Sequence, residues 1–71
     1  MPVVKVIEVL SQSPKSWEDA AQEGLNEVGK TVQGIQSIYV KDMQAQVENG
    51  KITQYRLNAK ISFVVKSDRE K

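Results

Sequence analysis

A long alternating run near the end of the chain constrains the fold more than any other feature. Between Ile52 and Val65, apolar residues on one parity alternate with polar residues on the other, the apolar set being Tyr55, Leu57, Ala59, Ile61, Phe63 and Val65. Because successive side chains of a strand point to opposite faces, the run predicts one long, half-buried β-strand. Fully extended, this strand would span about 46 Å, whereas a compact chain of 71 residues has a diameter of about 30 Å. The strand must therefore curl around something or reach beyond its own subunit.

The length and composition favour a single small domain that self-associates. A chain this short buries only about 60% of its unfolded surface, and it has no cysteine to form a disulfide or a thiolate metal site. Oligomerisation is the remaining common way to stabilise such a chain. We therefore predict one domain over residues 1–66, followed by a polar tail over residues 67–71.

Charge and aromatic content argue against several classes of function. The net charge is +1, from 10 basic and 9 acidic residues, without the basic stripe of a nucleic-acid-binding module. The sequence has neither a long apolar run nor a signal peptide, so we predict a cytoplasmic protein that contacts no membrane. Histidine is absent, and no catalytic motif is recognisable, so we predict that the protein is not an enzyme.

Two further strands are predicted from β-branched residues and turn signals. Val3–Leu10 forms the first; it is apolar on both parities, which favours one face covered by a helix and the other by a second subunit. Ser11–Ser16 is predicted as the turn that follows. The second strand runs from Ile35 to about Val47, with Ile38 and Val40 on one face. The other face is predicted to carry Ile35, Ser37, Tyr39, Met43, Ala45 and Val47.

One helix is predicted between these strands. Apolar residues recur at three- and four-residue spacing from Trp17 to Val32, which predicts a helix from Trp17 to Gln33. Ser16 and Asp19 fit a capping box at its start, and Ser13 followed by Pro14 is the competing start. Gly24 lies on the apolar stripe, where it would allow a strand to approach closely, and Trp17 is expected to be core.

The predicted fold class is therefore α+β, in the order β-α-β-β. Asn49-Gly50 predicts a hairpin between the second and third strands. The simplest architecture is a curved three-stranded antiparallel sheet wrapped round one helix. The apolar face of the last strand would meet the helix stripe, and the opposite sheet face would meet other subunits.

Length, element order and several short segments together resemble the dodecin family over Val4–Val65. The segments that carry the resemblance are Lys5-Val6, Ser11-Gln12-Ser13, Ser16-Trp17-Glu18-Asp19-Ala20-Ala21, Thr31-Val32, Tyr55 and Ile61-Ser62-Phe63. The form of the helix start is similar to bacterial members. The resemblance implies a hollow homododecameric shell that binds, stores and sequesters flavin, as FMN or riboflavin, without catalysis.

The chain departs from the family at the positions that match its flavin site. Ser37 stands in the slot of the tryptophan that stacks on the isoalloxazine ring. Arg56 replaces the glutamine that bonds the ring edge, and Gln44 replaces a basic residue that meets the FMN phosphate. Loss of a stacked ring removes about 1–3 kcal/mol per ring, so the sequence predicts weakened flavin binding unless Tyr39 or Arg56 stacks instead.

The alternative functions are a shell that binds divalent cations, a shell that binds another small ligand, and a purely structural shell. Calcium and magnesium require several oxygen ligands, and rotation axes bring copies of one carboxylate together. The candidate carboxylates are Glu8, Asp19, Glu23, Glu27, Asp42 and Glu48. Glu23 and Glu27, at four-residue spacing, are also explained as a solvated helix face.

Overall fold

The computed structural model describes residues 3–65 and has the predicted element order. The elements are β1 (Val3–Ser13), α1 (Trp17–Gly29), β2 (Ile35–Glu48) and β3 (Lys51–Val65). The sheet order is β1-β3-β2, and both strand pairs are antiparallel. The α+β prediction is therefore confirmed. The predicted tail at 67–71 lies outside the described residues. Within residues 3–65, no helix is long and apolar enough to cross a membrane.

The central strand β3 carries the core on the predicted face. Leu57, Ala59 and Ile61 are almost fully buried. Ala20 of α1 joins Leu57 and Ala59 in one apolar cluster, and Val9 of β1 packs against it. The helix packs mainly on β1 and β3 and hardly touches β2. The helix-facing side of β2 therefore remains partly open, with Met43 exposed.

The start of α1 matches one of the two predicted starts. Ser16 has an extended backbone and accepts a hydrogen bond from the Asp19 backbone N–H at 2.9 Å, which satisfies one of the free donors of the first turn. The competing start at Ser13 is wrong. Ser13 is the last residue of β1, where its buried hydroxyl donates to the Asp19 carboxylate and accepts from the Lys15 N–H.

The end of α1 falls four residues earlier than predicted, at Gly29 instead of Gln33. Thr31 and Val32 both donate backbone N–H groups to the Val28 carbonyl, which closes the helix in a tighter turn. Glycine and β-branched residues are poor helix formers, which explains why the helix ends here. The apolar spacing nevertheless continues to Val32, beyond the helix itself.

The predicted turn after the first strand is also too long. Ser11, Gln12 and Ser13 pair with Leu57, Arg56 and Tyr55, so β1 continues to Ser13. The predicted close approach at Gly24 is confirmed, because a Cβ there would lie 3.1 Å from the Ser11 Oγ. Ser11 also donates to the Ala20 carbonyl at 2.9 Å.

The side-chain pattern of β2 differs from the prediction because the strand contains register shifts. One shift lies between Ile35 and Ser37, and a second lies between Val40 and Asp42. An inserted residue reverses the face of all residues after it. Met43 and Ala45 therefore oppose Leu57 and Tyr55 on the helix side, and their predicted grouping with Ser37 and Tyr39 is wrong.

The described chain is long and thin. Its principal extents are 58 × 20 × 12 Å and its radius of gyration is 15.0 Å, compared with about 11 Å for a compact chain of this length. The positive φ angles of Asn49 and Gly50 form the predicted hairpin turn that joins β2 to β3. The long strands thus extend beyond the small core.

Candidate functional site

The candidate site residues lie on the sheet face opposite α1, which we call the open face. Cross-strand pairing places the following residues on it: Val4, Val6, Glu8, Leu10 and Gln12 of β1, Gln54, Arg56, Asn58, Lys60, Ser62 and Val64 of β3, and Ser37, Tyr39, Asp42, Gln44 and Gln46 of β2. All four residues that match or adjoin the family flavin site are in this set. Strand alternation places Ser37, Tyr39 and Arg56 on this face, whereas Gln44 reaches it through the register shift between Val40 and Asp42.

Ser37 forms part of a row that contains no aromatic ring. Ser37 lies opposite Ser62, and Ser62 lies opposite Val6 on the far side of the central strand. The two serine hydroxyls are hydrogen-bonded to each other. This row can therefore offer a planar ligand a hydroxyl pair and a valine, but no stacking surface.

Tyr39 is the exposed aromatic residue next to that row. It shares the open face with Ser37, as predicted, and lies opposite Lys60. The residue is 64% exposed. Its ring is therefore available to a ligand or to a second copy of the chain.

Gln44 and Arg56 form a separate group. They lie directly opposite each other, and the Arg56 Nε donates to the Gln12 Oε1 at 2.9 Å. Arg56 and Ser62 are six residues apart on β3, which corresponds to about 20 Å. Within one chain, the structure thus brings Gln44 to Arg56 and keeps both away from Ser37.

Trp17 anchors the helix behind the Gln44–Arg56 group. Its indole N–H donates to the Gln44 backbone carbonyl at 3.0 Å, and its ring meets the Tyr55 ring edge-on, with centroids 4.8 Å apart. Trp17 is partly buried against the core cluster, as predicted. Sequence reasoning missed its link to Gln44, for which the only signal was a single tryptophan at the start of the apolar stripe.

Lys41 forms a cross-sheet ion pair that sequence reasoning also missed. It lies at the second register shift of β2, and its Nζ reaches across β3 to the Glu8 Oε2 at 3.0 Å. The hydrogen bond to Glu8, together with the negative charges of Glu8 and Asp42, raises the pKa of Lys41 above its ordinary value. The sequence pattern did not reveal this contact because it depends on the bulge, which changes the direction of the Lys41 side chain.

The six candidate carboxylates are dispersed over the chain. Asp19 accepts from Ser13, and Glu27 pairs with Lys30 at 2.7 Å in an exposed contact on the helix. Glu8 and Asp42 are the two on the open face, where Asp42 lies opposite Asn58. Residues 3–65 contain no group of three or more acidic, histidine or cysteine side chains that could hold a metal ion.

Comparison with known proteins gives a consistent picture. The family model for dodecin matches residues 3–66. A protein named calcium dodecin, from Mycobacterium tuberculosis, is 39% identical over 64 residues, which is 89% of each chain. The crystal structure of a calcium dodecin from the same organism, described as having a novel calcium-binding site, is 33% identical. It has a TM-score of 0.79, with 97% of this chain and 99% of that chain covered.

Other solved dodecins share the fold at lower identity. An arginine-to-alanine mutant of the T. thermophilus dodecin is 21% identical with a TM-score of 0.90, with 94% of this chain and 100% of that chain covered. The dodecin from Streptomyces davaonensis is 20% identical with a TM-score of 0.88, with 93% of this chain and 97% of that chain covered. The β-α-β-β fold, the family model and the 39% identical relative agree, and this chain belongs to the dodecin family.

Proposed function

We propose that this protein is a non-enzymatic, homododecameric dodecin that binds calcium in preference to flavin. The observation that carries the proposal is the Ser37 row, in which two hydrogen-bonded serines stand where the family resemblance expects an aromatic ring. The similarity to a calcium dodecin over 89% of both chains supports the choice of cation. Family membership supports binding without catalysis, since dodecins are generally binding proteins.

The loss of the stacking ring disfavours flavin because stacking supplies much of the contact energy of a planar ligand. Each stacked ring contributes about 1–3 kcal/mol. At a site shared by two subunits, the loss would occur twice. Val6 and Ser62, the neighbours of Ser37 in its row, bring no replacement ring.

Glu8 and Asp42 are the proposed calcium ligands. They are the acidic residues of the open face, and Asn58, opposite Asp42, adds an amide oxygen. Calcium takes about six to eight oxygen ligands, more than one subunit supplies. We therefore propose that the open faces of adjoining subunits share each ion, so that calcium binding and assembly support each other.

Calorimetric titration of the chelator-treated protein with calcium tests this proposal. We expect saturable binding and a rise in thermal stability that EDTA reverses. A ligand that binds only the folded state, at 100 times its Kd, raises the free energy of unfolding by about 2.7 kcal/mol. Asp42→Asn should abolish most of the rise. The matched control is Glu23→Gln, which removes an exposed carboxylate from the helix. No calcium binding, or equal loss in both variants, would overturn the proposal.

A second candidate function, flavin binding through Tyr39, is favoured by one observation. Tyr39 is 64% exposed and lies on the same face as Ser37, one row away. A ring at this position could stack on an isoalloxazine, with Arg56 or Gln44 of another subunit meeting the phosphate of FMN.

Titration with FMN and riboflavin distinguishes the two functions. Saturable quenching of flavin fluorescence at micromolar protein would establish the flavin function, provided that Tyr39→Ala abolishes the quenching. The proposed calcium function predicts no such quenching. Riboflavin serves as the matched control for phosphate recognition, since it lacks the phosphate of FMN.

A further inference from the structure

We propose that Asn49, at the tip of the β2–β3 hairpin, is a site of spontaneous covalent modification, at which the side-chain amide is converted to aspartate or isoaspartate. Asn49 and Gly50 are both exposed, and they join Glu48 of β2 to Lys51 of β3. A glycine after the asparagine favours this reaction, since glycine has no side chain to shield its backbone nitrogen. The site contains no proposed calcium ligand and does not depend on the calcium function.

The reaction consumes water and needs no enzyme, oxidant or cofactor. The deprotonated Gly50 backbone nitrogen attacks the Asn49 Cγ, and the bond from Cγ to the amide nitrogen breaks, so that ammonia leaves with the proton. The product is a five-membered succinimide ring. Water then breaks one of the two bonds from the ring nitrogen to a carbonyl carbon. Cleavage at Cγ gives aspartate, and cleavage at the backbone carbonyl carbon gives isoaspartate.

The surroundings of the turn leave the attacking nitrogen accessible. A Cβ placed on Gly50 would meet no other atom within 4 Å. The core cluster lies further along the hairpin, where its first member on β3 is Leu57. Water and hydroxide therefore reach the peptide bond between Asn49 and Gly50 directly.

The conformation of the turn permits the attack after one peptide flip. The φ angles of Asn49 and Gly50 are 53° and 76°, and positive values at both central residues define a type I′ turn. There, ψ of the first central residue is about +30°, which turns the next nitrogen away from the side chain. In a type II′ turn, ψ is about −120°, and the Gly50 nitrogen then eclipses the Asn49 Cβ and can reach Cγ. Because the φ of Asn49 is positive in both turns and glycine accepts either sign of φ, rotation of the central peptide suffices.

The two other asparagines of the chain are held in regular structure and serve as internal controls. Asn26 lies in α1, where its side chain accepts from Gln22 at 3.0 Å, and Glu27 follows it. Asn58 lies in the central strand and is paired on both sides, and Ala59 follows it. Helical ψ angles of about −42° and strand ψ angles of about +135° both keep the next nitrogen away from Cβ. We therefore expect both residues to react slowly.

The two products change the hairpin in different ways. Aspartate adds a negative charge beside Glu48. Isoaspartate also adds a carbon atom to the backbone, so the two-residue turn no longer fits the register of the strands. The pair of Glu48 with Lys51, which closes the hairpin, should then loosen. The modified fraction increases with the age of the molecule.

The test is peptide mapping of the native wild-type protein after incubation in mildly alkaline buffer. Trypsin places the three asparagines in three different peptides, residues 16–30, 42–51 and 57–60. Fragmentation mass spectrometry measures conversion of amide to acid at each position, and isoaspartyl-specific methylation detects isoaspartate. We expect Asn49 to react at least about tenfold faster than Asn26 or Asn58, because only Asn49 precedes a residue without a Cβ. The rate should rise with pH, since the attacking nitrogen must lose its proton.

Two variants and a matched control test the mechanism. Asn49→Gly removes the amide and keeps a pair of residues that suits the turn, so no conversion should occur at position 49. Gly50→Ala places a Cβ beside the attacking nitrogen and should slow the reaction about tenfold. Asn26→Gln, on the helix, should leave the rate at Asn49 unchanged. Circular dichroism checks that each variant is folded.

Three results would overturn the proposal. The first is a rate at Asn49 no higher than the rate at Asn58 in the native protein. The second is an equal rate in the wild type and in Gly50→Ala. The third is conversion of Asn49 in urea but not in the native protein, which would mean that the folded protein holds or covers the turn so that the Gly50 nitrogen cannot attack.

Discussion

At the scale of single residues, we expect the identity of position 37 to decide whether the open face can stack on a planar ligand. The hydroxyl of Ser37 is used in a bond to Ser62, and this pair has no surface on which a ring can stack. The same position could carry an indole without disturbing the core, because Ser37 is exposed.

Restoring the family residues should restore flavin binding. We expect the double variant Ser37→Trp, Arg56→Gln to bind FMN at least tenfold more tightly than the wild-type protein, since about 1.4 kcal/mol corresponds to tenfold and a stacked ring contributes that much. Quenching of flavin fluorescence measures it. Gln46→Trp, on the open face but distant from Ser37, is the matched control. An unchanged affinity in the double variant would show that position 37 does not correspond to the stacking position.

Lys41 is the residue that we expect to compete with calcium. Its ammonium group lies 3.0 Å from the Glu8 carboxylate, and Glu8 is a proposed ligand. Lys41→Gln should therefore raise the calcium affinity several-fold, because it removes a positive charge that competes with the ion for the Glu8 carboxylate. Lys51→Gln, at the hairpin, is the control. A lower affinity in Lys41→Gln would mean that Lys41 supports the site.

The pH dependence of calcium binding should follow the protonation of Lys41. The pKa of Lys41 is raised above its ordinary value of 10.5, first by its hydrogen bond to Glu8, so the ammonium form persists through neutral pH. Calcium affinity should thus be flat from about pH 6 to 9 and increase in more alkaline solution, where Lys41 loses its proton. Titration calorimetry at several pH values checks this, and Lys41→Gln should show no alkaline increase.

At the scale of elements, the N-terminal cap of α1 supports the only helix of residues 3–65. The Ser16 hydroxyl accepts from the Asp19 N–H, so Ser16→Ala should lower the free energy of unfolding by about 1 kcal/mol. Urea denaturation followed by circular dichroism measures the change. Gln22→Ala, at an exposed helix position, should change stability by less than about 0.5 kcal/mol. An equal effect of the two substitutions would contradict the role of the cap.

Most elements were predictable from the sequence because their signals are local. The alternation of β3, the cap at Ser16 and the Asn49-Gly50 turn each depend on a few adjacent residues, and all three appear as predicted. The end of α1 was not predictable from apolar spacing, since Val32 continues the period past the helix. The face of Met43 depends on a bulge that only pairing with β3 reveals.

The candidate site was predictable in part for the same reason. Ser37, Tyr39 and Arg56 lie on one face because strand alternation places them there. The bond of Trp17 to Gln44 and the ion pair of Lys41 with Glu8 join residues 27 and 33 positions apart. Contacts over such separations depend on the assembled sheet, which no short sequence pattern specifies.

At the scale of the whole molecule, the described chain exposes large apolar side chains on both sides of its sheet. Leu10 and Val6 are more than half exposed on the open face, and Met43 is 59% exposed on the helix side. With a small core and extents of 58 × 20 × 12 Å, a lone subunit has little apolar burial to oppose its conformational entropy. The proposed homododecamer would cover these residues with other copies of the chain.

Light scattering after size exclusion tests the assembly directly. We expect the wild-type protein to elute as a particle of about a dozen chains, and Leu10→Asp to give much smaller species, because an unpaired charge is costly to bury in an interface. Leu10 lies outside the core cluster, so we expect the substitution to act on the proposed contact between copies and not on packing within one chain. Glu23→Gln, at an exposed position of the helix, should elute like the wild type.

Trp17 fluorescence shows whether a released subunit keeps its helix on the sheet. A wild-type monomer, or an intact particle formed by Leu10→Asp, would contradict assembly through the open face, and with it the sharing of calcium between subunits.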